Sequence, residues 1–166
     1  MNVDGKAYRT IWLGGDGWSV EIIDQTRLPH DFVTLRLTTL DEVARAIKSM
    51  QVRGAPLIGA AAAYGLCLAL RGDPSDAALN AAYDTLAATR PTAVNLRWAL
   101  DGMRMILRNT PEAGRIEAAY RRAAEICDED VAICRSIGEH GAGLITSAWQ
   151  PKDETSADEE RVNVLT

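Results

Sequence analysis

Met50-Gln51-Val52-Arg53-Gly54-Ala55-Pro56-Leu57-Ile58-Gly59 is the stretch that decides how this chain folds. A helical pattern ends at Met50, and a short break holds one arginine and one glycine. Pro56 then opens a run that stays apolar or small as far as Leu70. Proline is favoured at the first position of a helix, where its missing N–H would be unpaired anyway. The break therefore predicts a helix N-terminus just past Gly54, with free backbone N–H groups facing the Arg53-Gly54 turn. Free donors, the positive end of a helix dipole and a guanidinium make an anion site. A plain helix–turn–helix with a surface arginine fits the same spacing. A helix that is apolar on nearly every face belongs at the buried centre of a bundle. Gly59 and Gly65 cost it helix propensity, which points either to close helix packing or to the approach of a ligand.

Upstream of the break, Thr39 and Glu42 form a capping box, and Val43, Ala46, Ile47 and Met50 lie on one helical stripe. Before them come three β-rich runs. Tyr8–Leu13 and Trp18–Ile23 flank Gly14-Gly15-Asp16-Gly17, a four-residue turn, and Phe32–Leu37 alternates as a third strand. The result is a small antiparallel meander that needs something packed on it. Downstream, Gly72-Asp73-Pro74 ends the apolar helix. Ser75 caps another that runs to about Thr89, with Leu79, Ala82, Tyr83 and Leu86 inward.

Arg90-Pro91-Thr92-Ala93-Val94-Asn95-Leu96 repeats the logic of the first break. The residue before a proline disfavours helix, so the third helix stops near Arg90, and Thr92 is placed to cap a fourth. Leu96, Ala99, Leu100, Met103, Ile106 and Leu107 form that helix's stripe. A final helical pattern from Glu112 has the stripe Ile116, Ala119, Tyr120, Ala123, Ile126 and Cys127, then Val131, Cys134, Ile137, Leu144 and Ile145. Gly138 and Gly141 leave open whether it is one helix or two. Residues 150–161 read as a polar linker, and 162–166 as a short β-rich run. The expected organisation is a meander over 1–38 and a helical bundle over 39–149, together one α+β domain. The linker and the first strand of a further domain follow.

The chain has 166 residues, is 47% hydrophobic and 25% charged, and carries a net charge of −5. That length suits one domain or one plus the start of another. The acidic balance argues against nonspecific nucleic-acid binding, though not against a local basic pocket. Cys67, Cys127 and Cys134 form no Cys-x-x-Cys pair, and His30 and His140 are far apart in sequence. All three cysteines are expected to be small buried groups in a reducing compartment, with no metal site. No secretory signal opens the chain, and the run from Ala55 to Leu70 falls short of the ~20 residues of a membrane helix. A cytoplasmic protein is expected, with no membrane partner.

If the two helix starts converge, Arg53 and Arg90 would grip a phosphate together with two sets of free N–H groups. Spacing alone favours the plainer reading, in which both arginines are solvated helix-end residues. Asp24-Gln25-Thr26-Arg27-Leu28-Pro29 reads as a self-bonded turn in preference to a ligand loop. Asn95 could face a ligand or cap its helix. His140 reads as packed or surface, and Asp128-Glu129-Asp130 as a solvated face. No nucleophile-with-base arrangement and no Gly-rich nucleotide fingerprint is visible.

Val52–Gly59 and Arg90–Leu96, with Thr10–Leu13, Ile23–Pro29 and Ile137–Gly141, closely resemble the N-terminal part of the methylthioribose-1-phosphate isomerases. That family is grouped with ribose-1,5-bisphosphate isomerase and the regulatory subunits of translation initiation factor 2B. The resemblance covers essentially the whole chain. It implies a β-meander and helical bundle joined to a C-terminal Rossmann-like domain. The implied reaction converts 5-methylthioribose 1-phosphate to 5-methylthioribulose 1-phosphate in methionine salvage, in a homodimer and with no cofactor. By motif match Arg53, Gly54 and Ala55, and likewise Arg90, would bind substrate on the phosphate side. The family's catalytic Cys and Asp fall beyond Thr166, so no catalytic residue is assigned here. The expectation is of a truncated chain, inactive alone. The alternative is a non-catalytic interaction or regulatory module like the initiation-factor subunits.

Overall fold

The computed structural model describes residues 2–148, so the expected linker at 150–161 and strand at 162–166 lie outside the described residues. Residues 1–128 form one unit, and those from Glu129 onward form a second.

The first unit opens with a hairpin that the sequence pattern did not announce, β1 (Asn2–Val3) paired with β2 (Lys6–Ala7). Its strands are too short to show a period, and it turns through Asp4 and Gly5, both at positive φ. The expected meander follows as β3 (Ile11–Leu13), β4 (Val20–Ile23) and β5 (Thr34–Leu37), antiparallel in the order β3-β4-β5. Leu13 pairs with Val20, so the connection runs over six residues, 14–19, where four were expected. Asp16 holds it open by accepting from the backbone N–H groups of Trp18 and Ser19 and from Ser19 Oγ, and by pairing with Arg36. Burial pushes the Asp16 carboxyl up, but these donors outweigh it and hold the group well below the usual carboxylate range.

Four helices follow in the same unit, and the second of them is set against β3. α1 (Leu40–Lys48) begins in the expected capping box, with Thr39 Oγ1 accepting from the Glu42 N–H and the Glu42 carboxylate accepting from the Thr39 N–H. Met50, at φ 63°, closes it. α2 (Ala55–Leu70) is buried on almost all sides from Leu57 to Leu68, as its composition requires. It is the hub against which α1, α3 (Asp76–Ala87) and α4 (Val94–Arg108) pack. Its core partners include Val43, Ile47, Leu79, Leu86, Leu96, Leu100 and Met103, each almost wholly buried. Each such side chain contributes on the order of 1.5–3 kcal/mol.

α5 (Glu112–Ala148) is one continuous helix through Gly138 and Gly141. In its first half Ala118, Ala119, Ala123, Ile126 and Cys127 are buried. Tyr64 of α2 meets Tyr120 with ring centroids 6.4 Å apart, and the Tyr120 hydroxyl donates to the Trp18 carbonyl at 2.7 Å. Arg115, only 4% exposed, ties the start of α3 to the loop between α4 and α5. It donates to the carbonyls of Pro74 (2.5 Å) and Thr110 (3.3 Å) and pairs with Asp76 at 3.0 Å. The second unit is described only as far as Ala148. There the later part of the stripe, Val131, Cys134, Ile137, Leu144 and Ile145, is exposed. Helical spacing predicts that apolar residues share a face; it does not say that anything in this chain covers them. Cys134 is likewise exposed, not buried as expected, whereas Cys67 and Cys127 are buried.

Candidate functional site

The two sequence breaks meet through one missing side chain. Gly59 lies one turn into α2, and a Cβ there would sit 2.9 Å from the Asn95 carbonyl oxygen and 3.3 Å from the Ala99 Cβ. Asn95 is the second residue of α4. The first turns of α2 and α4 therefore abut backbone to backbone, and Gly59 serves close packing, not ligand approach. Only glycine allows this separation.

The two abutting helix starts share a second property. α1 and α3 are capped by the side chains of Thr39 and Ser75. α2 begins after Gly54 and α4 after Ala93, and neither start has a side-chain cap. The expectation that Thr92 caps α4 is corrected by one residue: the half-in position falls to Ala93, which has no oxygen to offer. The first N–H groups of both helices are thus left to an external acceptor, at the positive ends of two dipoles. Asn95 makes no cap and contributes its backbone carbonyl to the helix contact.

Arg53 is exposed and Arg90 half-buried. They precede α2 and α4 respectively, and among the described residues neither guanidinium makes a hydrogen bond or ion pair. Arg45, Arg97, Arg121 and Arg135 share that state, whereas Arg9, Arg27, Arg36, Arg104, Arg115 and Arg122 are ion-paired. Gly54 sits at φ 97° and ψ 132°, with nothing within 4 Å of where its Cβ would be. Its conformation and the space above it suit a backbone N–H presented to a ligand.

The loop at Asp24 bonds to itself, as expected, and also reaches the first break. Asp24, 7% exposed, accepts from the Thr26 N–H at 3.0 Å and Thr26 Oγ1 at 2.6 Å. It also accepts from Gln51 Nε2 at 3.3 Å, and the Gln25 N–H donates to the Gln51 carbonyl at 3.0 Å. Sequence reasoning missed Gln51, which braces the residues just before Arg53. Its adjacency to Val52-Arg53 was the only signal available.

Other candidates carry less. Burial pushes the Cys67 thiol up and keeps it neutral, and does the same to Tyr64. His140 is a helix-surface residue whose Nδ1 donates to the Ser136 carbonyl at 2.7 Å. A cleft of about 540 Å³ lies on the sheet beside Lys6, Tyr8, Arg9, Trp12 and Phe32. Its cations are engaged, Lys6 over the Tyr8 ring and Arg9 with Asp128, so it offers no free anion grip. Among the described residues no helix is long and apolar enough to cross a membrane, and no group of three His, Cys, Asp or Glu is placed to hold a metal.

A small meander backed by a bundle around one apolar helix, with two uncapped helix starts abutting, defines an α+β domain of a known kind. The model of the initiation factor 2 subunit family matches residues 51–166, and the chain belongs to that family. Within it, a methylthioribose-1-phosphate isomerase of Paramagnetospirillum magneticum is 55% identical over 166 residues, all of this chain and 44% of that protein. The crystal structure of 5-methylthioribose 1-phosphate isomerase from Pyrococcus horikoshii superposes with a TM-score of 0.77 at 37% identity, covering 84% of this chain and 41% of that one. Subunit delta of translation initiation factor eIF-2B from A. fulgidus gives 0.75 at 36% identity, over 83% and 42%. The chain thus spans less than half the length of these relatives.

Proposed function

We propose that this chain is the substrate-binding N-terminal portion of an aldose–ketose isomerase acting on 5-methylthioribose 1-phosphate, with Arg53, Gly54, Ala55 and Arg90 holding the phosphate. The observation that carries the reading is the contact of Gly59 with Asn95. It sets two uncapped helix starts side by side, each preceded by an arginine with no partner among the described residues. A phosphate dianion accepts from several donors at once and suits such a cradle. The names of the relatives supply the sugar. Proton transfer between the sugar carbons falls to groups outside this chain, so the chain alone turns nothing over. The complete enzyme is a homodimer in this reading.

The test is a chimera that joins this chain to the C-terminal remainder of the P. magneticum relative. Isomerase activity is expected. Arg53→Ala and Arg90→Ala should each raise KM by about 10- to 150-fold, the loss of a charge-assisted interaction of roughly 1.5–3 kcal/mol. Unchanged KM in both variants would remove the phosphate grip. Turnover by the 166-residue chain alone would overturn the division of labour. A non-catalytic regulatory role is the second reading, favoured by the comparable fit of the eIF-2B subunit. It predicts an inactive chimera and no sugar-phosphate binding.

A further inference from the structure

We propose that Asp24 and Gln51 are positioning residues for the phosphate grip, and that their pairing gives the Arg53-Gly54 break the shape in which it meets the ligand. The inference rests on the sugar-phosphate reading above. The Arg53 side chain is exposed, but the backbone on either side of it is fixed. Behind it Val52 is fully buried, and its N–H donates to the Ala46 carbonyl at 3.2 Å. Ahead of it the Gly54 carbonyl accepts from the Ile58 N–H at 3.1 Å. Gln51 supplies the remaining hold. Its carbonyl accepts from the Gln25 N–H (3.0 Å) and its side-chain amide donates to Asp24 Oδ2 (3.3 Å), so it is bonded twice to the loop that leaves β4.

Two further features say what this hold is for. Met50 and Gly54 both have positive φ, 63° and 97°, on either side of Gln51-Val52-Arg53. Methionine in the left-handed region is strained, and such a conformation persists where neighbouring groups enforce it. Asp24 is only 7% exposed, and among the described residues no lysine or arginine pairs with it. Neutral donors alone hold its carboxylate, the Thr26 N–H and Oγ1 on one oxygen and the Gln51 amide on the other. A buried charge without a counter-ion is a poor choice for stability. Its use is as a fixed acceptor with one donor to select, which sets the place of Gln51 and with it the direction in which Arg53 leaves the backbone. Preorganisation of this kind spares the ligand the ordering of the loop that binds it.

The chimera separates positioning from folding. At about pH 8, Gln51→Glu sets a second carboxylate against Asp24 and should raise KM about tenfold with kcat within about twofold. A variant that only folded less well would lower kcat through the active fraction and leave KM alone. Asp24→Asn added to Gln51→Glu reverses the direction of the same hydrogen bond, and should return KM to within about threefold of the parent. Added to Arg53→Ala, Gln51→Glu should change KM by less than about threefold, because the guanidinium it would misplace is gone. An undiminished effect in that background, no rescue by Asp24→Asn, or a loss in kcat alone would each overturn the proposal. An unchanged KM in Arg53→Ala removes the phosphate grip and this proposal with it, whereas an effect of Arg53→Ala without one of Gln51→Glu overturns the proposal alone. A second measurement uses the 166-residue chain without ligand. Gln51→Glu should speed hydrogen exchange at the Val52 amide at least about tenfold while the amide of buried Leu100 keeps its rate, and Asp24→Asn should reverse this. An unaltered Val52 rate, or equal acceleration at Leu100, overturns the brace.

Discussion

Gly54 and Gly59 do different work five residues apart, and substitution separates them. Gly54 stands at φ 97° with open space where a Cβ would be. Alanine there meets strain and no clash, and should cost on the order of 1–3 kcal/mol in urea unfolding. At Gly59 the backbone is ordinary helix, so alanine would gain about 1 kcal/mol of propensity. It would also drive a methyl against the Asn95 carbonyl at 2.9 Å, which is fixed in the backbone of α4. Overpacking of this kind costs roughly 1–3 kcal/mol, so Gly59→Ala should be net destabilising or neutral at best. In the chimera it should raise KM by shifting the two helix starts. Gly138 supplies the control. It is helical, exposed and has nothing within 4 Å, so Gly138→Ala should stabilise by up to about 1 kcal/mol. A stabilised Gly59→Ala with unaltered kinetics would show that α2 and α4 do not need this contact.

At the scale of the element, α1 shows a cap whose strength depends on pH. The Glu42 carboxylate accepts from the Thr38 N–H at 2.6 Å, Thr38 Oγ1 at 3.0 Å and the Thr39 N–H at 3.1 Å. Led by the Thr38 N–H, these donors outweigh the opposing effect of burial and hold the Glu42 pKa below its ordinary value. A carboxyl with a depressed folded pKa stabilises fully above its unfolded pKa of about 4.3 and loses that contribution as pH falls through the lower folded value. Glu42→Gln should therefore lose stability at pH 7 and show a shallower fall between about pH 5 and 3, read from denaturant midpoints. An identical pH slope in both proteins would mean that Glu42 contributes nothing to it.

Elements with a cap and a stripe were legible for the same physical reason. Thr39 and Ser75 mark helix starts because their oxygens have an N–H to satisfy, and Leu79, Ala82, Tyr83 and Leu86 repeat at the helical period because one side meets the core. β1 and β2 were not legible, since two residues carry no period. The start of α4 was misplaced because a threonine within reach of a helix need not cap it. Of the candidate site, the arginines, glycine and prolines stood out as breaks. The contact between α2 and α4 at Gly59 did not, because a glycine in a sequence does not say which backbone will fill its place.

For the whole molecule, the distribution of buried surface sets what each part contributes to stability. Among the described residues, every buried core residue lies between Ile11 and Cys127. Beyond Asp130 the helix residues are exposed almost without exception, apolar ones included. Hydrophobic burial is the dominant stabilising contribution, and a helix without a buried face adds little to a cooperative core. Truncation after Ser136 keeps two turns beyond Cys127 and retains the Arg9–Asp128 pair at 2.6 Å. The shortened chain should unfold at the same urea midpoint, within about 0.5 kcal/mol, because among the described residues no buried one has been removed. Replacing buried Leu100 by alanine should lower that midpoint by roughly 2–5 kcal/mol in either length of chain. If the truncated chain instead unfolds markedly earlier, the exposed Ile137, Leu144 and Ile145 must be buried in solution, and the chain's stability would extend past Cys127. The same experiment run across a range of concentrations decides whether that burial is within one chain or between two, since only the second makes the midpoint concentration-dependent.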